Sequence, residues 1–131
     1  MEKKPKKNIK ILFVEDEEAL QKSMGRALEF EGYNVLTAAD GESGYNIAIK
    51  EKPDLILLDL ILPKMDGFEV LRSLKKNDET KKIPVAILTN LESTADIDKA
   101  LELGALTYLV KANYELSDLL EKVDAMVSNV K

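Results

Sequence analysis

Residues 55–67 read LILLDLILPKMDG, and this stretch decides the fold. Its first four residues are all apolar, which is typical of a parallel strand that is covered on both faces. The run ends on a single carboxylate, Asp59. Pro63 then restricts the backbone, and Asp66-Gly67 opens a helical pattern. The sequence therefore predicts Asp59 at the carboxyl end of a buried strand, the edge of an α/β sheet at which ligands bind.

The rest of the chain repeats this arrangement of a short apolar strand followed by a helical pattern. Alternating strands and helices predict one α/β domain with a parallel five-stranded sheet and helices on both faces. The predicted strands are 9–14, 34–38, 55–59, 84–88 and 107–110. Apolar residues at helical spacing predict helices around 20–28, 44–48, 67–76, 93–103 and 115–128.

Composition narrows the chemistry that the chain can perform. Its 131 residues include no cysteine and no histidine. The sequence therefore offers no thiolate nucleophile, no disulfide and no imidazole as general base, phosphoryl carrier or metal ligand, so any metal must be held by oxygen. The net charge of −5 at pH 7 argues against direct DNA binding, because binding to a duplex depends on a surplus of Lys and Arg.

The amino-terminal residues 1–8 are predicted to be a basic arm, and residues 9–131 the domain. Five of the 19 Lys and Arg residues lie in the first ten positions, and we expect the arm to be a mobile, solvated tail. No apolar run has the length of a membrane span, and none follows the arm as in a secretion signal. We therefore expect a cytoplasmic protein without membrane insertion.

Charged and hydroxyl side chains stand at the ends of four predicted strands. The first strand ends on Glu15-Asp16, the third on Asp59, the fourth on Thr89 and the fifth on Lys111. If the first and third strands are neighbours, three carboxylates converge, and two such charges about 5 Å apart repel by roughly 3 kcal/mol at an effective dielectric near 20. A hard divalent cation with oxygen ligands, above all Mg²⁺, would balance this charge, and Lys111 would offset part of the remainder.

Each of these residues also has a simpler interpretation when it is taken alone. An isolated Asp after a strand usually caps the next helix, and the acids that begin at Glu15 favour the positive end of a helix. Thr89 alone would be a turn residue, and Lys111 alone a solvated lysine. Independent chance would rarely place all of them at one edge of a sheet, so their joint placement favours a functional site.

The chain resembles a response regulator receiver domain of the CheY type over nearly all of residues 9–130. The matching stretches are ILFVEDEE, LILLDLILPKMDG, PVAILTN and ALELGALTYLVK, and together they are highly specific. The resemblance implies a doubly wound, flavodoxin-like sheet with the strand order 2-1-3-4-5. It also implies a role in two-component phosphorelay signalling as a phosphoacceptor, not as an enzyme that acts on a separate substrate.

This resemblance implies a role for each residue at the strand ends. Asp59 would accept a phosphoryl group from a phosphohistidine on a histidine kinase or a histidine phosphotransfer protein. Asp16, Asp59 and the backbone carbonyl of Ile61 would bind Mg²⁺ directly, and Glu15 would act on the ion through water. Lys111 would pair with the phosphoryl oxygens, which suits a reaction that needs little beyond an in-line nucleophile and charge neutralisation.

The resemblance also implies how phosphorylation reaches the surface of the domain. The Thr89 hydroxyl would turn towards the phosphoryl group, and Tyr108 would move inward in step with it. The surface formed by the fourth helix, fifth strand and fifth helix would then change and contact a downstream protein target. Because the sequence ends with the fifth helix, we expect a stand-alone receiver that acts through protein contact.

Three departures from the family pattern bear on the site. Glu15 stands where the family often has Asp, which alters the reach of the outer metal contact. Ala112 stands where proline is common, so the loop before the last helix differs in shape. Asn90 and Leu91 stand where a small residue and then a polar one are usual, and Ile61 and Leu91 lie where the family tunes the access of water to the acyl phosphate.

Other functions are disfavoured by missing sequence features. A nucleotide-binding domain of the flavodoxin type would need a phosphate loop after the first strand, where the acidic EDEE would repel phosphate. A P-loop NTPase would need G-x-x-x-x-G-K-[ST]. A haloacid-dehalogenase-type phosphatase also uses an aspartyl phosphate and Mg²⁺, but it carries a D-x-D pattern on its first strand. A scaffold that no longer takes phosphate would not need all five functional positions filled.

Overall fold

The computed structural model describes residues 6–128, apart from the side chain of Lys7, as one parallel sheet between two layers of helices. The strands are β1 (Lys10–Val14), β2 (Asn34–Ala38), β3 (Leu55–Leu58), β4 (Val85–Thr89) and β5 (Thr107–Val110). The helices are α1 (Glu18–Phe30), α2 (Gly41–Glu51), α3 (Gly67–Lys76), α4 (Thr94–Glu102) and α5 (Leu116–Val127), with 3-10 helices at Lys6–Asn8 and Lys111–Asn113. The strand order β2-β1-β3-β4-β5 confirms the predicted fold. No helix in the described range is long and apolar enough to cross a membrane.

The hydrophobic core has two halves because successive strand residues point to opposite faces of the sheet. On β1, Ile11 and Phe13 pack into the half that includes buried residues of α1 and α5. Leu12 and Val14 pack into the other half, with buried residues of α2, α3 and α4. All four residues of β3 are buried, as the continuous apolar run predicts for a central strand that is covered on both sides.

The register between β1 and β3 sets where the acidic residues meet. Val14 pairs with Leu58, and the Asp59 N–H donates to the Val14 carbonyl at 3.1 Å. Because the two strands are parallel and in register, the residues that follow them, Glu15 and Asp59, leave the sheet at the same edge. Asp16 follows in the same turn, so the backbone alone brings the three carboxylates to one place.

The boundaries of three strands differ from the prediction by one residue. β1 begins at Lys10 instead of residue 9, and β3 ends at Leu58, which leaves Asp59 in the loop. β4 is shifted to Val85–Thr89. Pro84 has no N–H to donate to a neighbouring strand, and Thr89 is the last residue of the strand instead of a residue beyond it.

In the predicted mobile, solvated tail, residues 6–8 form a 3-10 helix, whereas residues 1–5 lie outside the described residues. The Lys6 Nζ lies 3.4 Å from Glu31 Oε1, 3.7 Å from Asp124 Oδ1 and 5.4 Å from the centre of the Tyr33 ring. The Tyr33 hydroxyl in turn donates to Asp124. The charge pattern of the arm could not reveal these partners, because they come from two distant segments of the chain.

Two glycines offer a matched test of how closely the backbone packs around the site. Gly67 begins α3 against the loop after β3, and a Cβ there would lie 2.2 Å from the Asp59 carbonyl oxygen and 2.5 Å from the Leu60 Cα. Gly25 lies inside α1, where a Cβ would meet Thr37 Cγ2 at an ordinary 3.9 Å. Only the position of Gly67 requires a residue without a side chain.

We therefore predict opposite effects of alanine at the two positions. Gly67→Ala should lower the free energy of unfolding by about 2 kcal/mol or more, because the backbone at Asp59 must shift. Gly25→Ala should raise it by about 0.5–1 kcal/mol, because alanine loses less conformational entropy in a helix. Urea unfolding followed by circular dichroism measures both values, and equal stability of the two variants would contradict the packing described above.

Candidate functional site

Three carboxylates converge at the carboxyl edge of the sheet, as the sequence predicts. Glu15, Asp16 and Asp59 each offer an oxygen, and these oxygens lie within 4.8 Å of one another. Glu15 is completely buried and Asp59 is 4% exposed, whereas Asp16 is exposed to solvent. Two buried acids and one exposed acid form a group with a closed inner side and an outer side that is open to solvent.

Lys111 lies between the two buried acids. Its Nζ is 2.6 Å from Glu15 Oε1 and 2.8 Å from Asp59 Oδ2, and only 13% of its side chain is exposed. Burial acts to lower the pKa of Lys111, but its contacts with Asp59 and Glu15 outweigh this effect and raise the pKa above its usual value. The lysine therefore stays charged, and one ammonium faces three carboxylates.

Glu15 is the acid whose charged form this arrangement disfavours. Burial raises its pKa above the usual value; the Lys111 ammonium and the Glu17 N–H act in the opposite direction, and the charge of Asp59 adds to the rise. The Glu17 N–H donates to Glu15 Oε2 at 3.0 Å. Since a raised pKa means that ionised Glu15 is disfavoured in the folded state, the site favours any ligand that brings positive charge.

The donor set fits a hard divalent cation. All three acids offer oxygen, which Mg²⁺ prefers. Glu15 Oε1 meets Lys111 as an ion pair, but within the described residues it accepts no hydrogen bond of favourable angle. The Ile61 N–H donates to Asp59 Oδ1 at 3.2 Å, which orients that carboxylate. The three acids could thus hold a metal, whereas the predicted ligand role of the Ile61 carbonyl stays a prediction.

Thr89 and Tyr108 both contact the same residue of the loop after β4. Thr89 is completely buried, and its hydroxyl accepts a long hydrogen bond of 3.5 Å from the Leu91 N–H. The Tyr108 hydroxyl donates to the Leu91 carbonyl at 2.7 Å. Burial, followed by the charges of Asp96 and Asp59, raises the pKa of Tyr108 to about 12, so the phenol remains protonated and can donate.

Sequence reasoning missed two residues that hold the loops of the site in place. The Gln21 side-chain amide donates to the Glu15 carbonyl at 2.8 Å and to the Ala38 carbonyl at 3.1 Å, which ties the acidic turn to β2. Gly41 begins α2 so close to the loop after β3 that a Cβ would lie 1.7 Å from the Met65 carbonyl oxygen. A polar residue on a helix and a glycine at a helix start give no such signal in the sequence.

A parallel sheet with an acidic group and a buried lysine at its carboxyl edge defines a receiver-type signalling domain, and comparison with known proteins agrees. The sequence profile described as "Response regulator receiver domain" matches residues 11–124. The chain therefore belongs to the family of response regulator receiver domains of two-component systems, and the resemblance stated above is confirmed.

Individual relatives support this assignment. The chain is 38% identical over 118 residues to the "DNA-binding dual master transcriptional regulator RpaA" of Synechocystis sp., covering 90% of this chain and 48% of that protein. A CheY-like receiver domain protein from Methanospirillum hungatei JF-1 has a similar crystal structure, with a TM-score of 0.84 and 33% identity over 91% of this chain and 93% of the other. The chain spans about half the length of the curated relatives that it matches.

A second solved structure bears on the metal. The receiver domain of a sensor histidine kinase from Pseudomonas aeruginosa PAO1 is 28% identical, with a TM-score of 0.81, and covers 91% of this chain and 97% of its own. It is described with a magnesium ion coordinated in the active site cleft. A receiver domain of similar fold is thus described with this ion in its cleft, and the three acids of this chain could hold a metal.

We predict that Asp16→Asn raises stability in the absence of Mg²⁺ and weakens the stabilisation that Mg²⁺ provides. In EDTA the variant should be more stable by up to about 1 kcal/mol, because one of three repelling charges is removed at an exposed, screened position. At a Mg²⁺ concentration ten times the dissociation constant, the wild type should gain about 1.4 kcal/mol and the variant distinctly less.

Glu17→Gln provides the control, because Glu17 is an exposed acid beside the group and not part of it. It should respond to Mg²⁺ as the wild type does. Urea unfolding and calorimetric titration of Mg²⁺ measure these effects, and an unchanged Mg²⁺ affinity in Asp16→Asn would remove Asp16 from the metal site.

Proposed function

We propose that this receiver domain accepts a phosphoryl group on Asp59 from a histidine kinase or a histidine phosphotransfer protein. The observation that carries this proposal is the placement of the Asp59 carboxylate, 2.8 Å from the Lys111 ammonium and within 4.8 Å of the oxygens of Glu15 and Asp16. A nucleophile beside a fixed cation and a metal-ligand group is the arrangement that phosphoryl transfer requires. Phosphoacceptor chemistry is general to the family that the chain belongs to.

The proposed reaction exchanges one bond to phosphorus for another. An oxygen of the Asp59 carboxylate forms a P–O bond while the P–N bond to the donor imidazole breaks, and the imidazole leaves with the bonding electron pair and takes up a proton. Lys111 is already at the carboxylate and would neutralise charge on the phosphoryl oxygens. A bound Mg²⁺, held by Asp16, Asp59 and the Ile61 carbonyl, with Glu15 acting through water, would supply further positive charge to these oxygens.

The partners of the domain follow from this chemistry. The protein donor would present a phosphohistidine, as a histidine kinase or a histidine phosphotransfer protein does, and we propose that the transfer takes place in the cytoplasm. The domain would act as a signalling phosphoacceptor and not as an enzyme, and its net charge of −5 disfavours direct contact with DNA. We extend the proposal to residues 9–131 as a unit that signals to a downstream protein. The curated relatives are about twice as long, so the proposal covers what these residues do and not what a whole protein of that length does.

The contacts of Leu91 support the proposed switch. A phosphoryl group adds roughly two negative charges and three acceptor oxygens. The Thr89 hydroxyl makes only a 3.5 Å contact with the Leu91 N–H, so a strong acceptor at Asp59 would draw it inward. A movement of Leu91 would then displace Tyr108, because the Tyr108 hydroxyl donates to the Leu91 carbonyl. The surface expected to change is α4, β5 and α5, as a shift between two populated states.

We predict that Asp59→Asn prevents phosphorylation. Incubation with acetyl phosphate and Mg²⁺ should add one phosphoryl group to the wild type, labile to hydroxylamine, because an acyl phosphate reacts with that nucleophile. The amide of the variant has lost the nucleophilic charge. Asp54→Asn is the matched control, because Asp54 lies at the other end of β3, where it accepts a hydrogen bond from the Lys10 N–H. Intact-mass spectrometry decides: equal phosphorylation of Asp59→Asn and the wild type would show that Asp59 is the wrong residue.

We also predict that Thr89→Ala separates phosphorylation from its distant effect. The variant should still accept phosphate at Asp59, although its Tyr108 and α4 signals should no longer shift when beryllofluoride is added as a phosphate mimic. Thr37→Ala, at an exposed position on β2, should shift as the wild type does. Two-dimensional NMR spectra report both. If Thr89→Ala retains the wild-type shifts at Tyr108, Thr89 is not the coupling residue.

A further inference from the structure

One hydrogen bond joins the two loops that carry the site. The backbone N–H of Ala112 donates to Asn90 Oδ1 at 3.1 Å, although the two residues lie 22 positions apart. Asn90 directly follows Thr89 at the end of β4, and Ala112 directly follows Lys111 after β5. Because a backbone N–H can only donate, the atom that faces it must be the amide oxygen of Asn90 and not its nitrogen.

We infer that Asn90 is a positioning residue for Lys111: by accepting the Ala112 N–H it fixes the backbone from which the lysine reaches Glu15 and Asp59. This inference rests on the proposed function, since it matters only if Lys111 neutralises a phosphoryl group. Asn90 itself is exposed and acts through its neighbour, so it is not a catalytic residue.

The turn that contains Lys111 needs such an anchor. Lys111–Asn113 is a single turn of 3-10 helix, and the first N–H groups of any helical turn have no partner within it. The Tyr114 N–H closes the turn on the Lys111 carbonyl at 3.2 Å, which leaves the Ala112 N–H to be satisfied from outside. Asn90 provides that acceptor, and the turn is then held at two points.

The geometry of β4 and β5 explains why Asn90 is suited to this task. Thr89 pairs with Val110 in the parallel register, so the residues that follow them leave the sheet side by side. An asparagine side chain is long enough to cross from one loop to the next. Residue 90 therefore links the segment that contains Thr89 to the backbone of the lysine that binds Asp59.

Loss of this bond should loosen Lys111 without unfolding the domain. Asn90 and Ala112 are both exposed, so water can replace the lost acceptor, and the fold should survive. The Lys111 side chain must hold its Nζ 2.8 Å from Asp59 Oδ2, so freedom at its backbone lowers the fraction of molecules in the reactive arrangement. We expect the maximal phosphorylation rate to fall about three- to tenfold, the range that the net effect of one hydrogen bond produces.

Asn90→Leu tests the inference, because leucine has the shape of asparagine without an acceptor. Asn77→Leu is the matched control: Asn77 Oδ1 accepts the Glu79 N–H at 2.9 Å in a turn at the opposite edge of the sheet. Phosphorylation of the full chain by phosphoramidate and Mg²⁺, followed by intact-mass spectrometry over a range of donor concentrations, gives the maximal rate and the half-saturating concentration. Asn90→Leu should lower the maximal rate, and Asn77→Leu should leave it unchanged.

A second pair of measurements distinguishes positioning of Lys111 from a general structural effect. In a Lys111→Met background, Asn90→Leu should slow phosphorylation no further, because its effect passes through the lysine. In the NMR spectrum of the metal-free protein, Asn90→Leu should shift the Ala112 amide and the Lys111 Nζ signals, whereas Asn77→Leu should shift neither.

The outcomes are separable. Suppose that the wild type is phosphorylated on Asp59 but that Asn90→Leu reacts at the wild-type rate. The positioning role of Asn90 is then overturned, and the proposed function stands. The same conclusion follows if Asn90→Leu slows phosphorylation by the same factor in the Lys111→Met background as in the wild-type background. If the wild type is not phosphorylated at all, the proposed function fails and the role of Asn90 fails with it. Unshifted Ala112 and Lys111 signals in Asn90→Leu would also overturn the inference.

Discussion

The ion pair that Lys111 makes with Glu15 and Asp59 is the interaction on which the rest of the site depends. Two carboxylates that are removed from water repel each other and favour protonation. The ammonium between them, 2.6 Å from one and 2.8 Å from the other, offsets part of this repulsion. The exposed third acid, Asp16, then adds negative charge where solvent and ions can reach it. The protein therefore offsets part of the negative charge on the inner side, and the charge on the outer side is available to a ligand.

The fold contributes to this arrangement by placing the ends of its strands. Parallel pairing of β1 with β3 delivers Glu15 and Asp59 to the same edge, and pairing of β4 with β5 delivers Thr89 beside the segment that leads to Lys111. The apolar core on both faces of the sheet stabilises these strands. Its favourable free energy offsets the repulsion between the carboxylates at the edge. Close packing at the loop after β3 adds rigidity, since no side chain fits at Gly67.

The loop after β4 connects the site to the far surface. Leu91 receives contacts from Thr89 through its N–H and from Tyr108 through its carbonyl. Asn90, between Thr89 and Leu91, reaches the turn after β5. The three consecutive residues at the end of β4 thus make hydrogen bonds to one another and to two other segments of the chain. In the proposed switch, this loop would carry a change at Asp59 to Tyr108.

The sequence by itself determined the fold class and the residues at the strand ends, because the features behind them are local, whereas the pairing of β1 with β3 that joins the acids is not. Apolar runs and helical spacing identify each element within a few residues, and the residue that ends a strand lies at the sheet edge whatever the packing, so Glu15, Asp16, Asp59, Thr89 and Lys111 could be selected in advance. Only the tertiary structure decided the contacts of Lys6, of Gln21 and of Asn90, whose partners lie in other elements. A side-chain hydrogen bond depends on two segments that meet in three dimensions, and nothing in the spacing of either segment specifies the other.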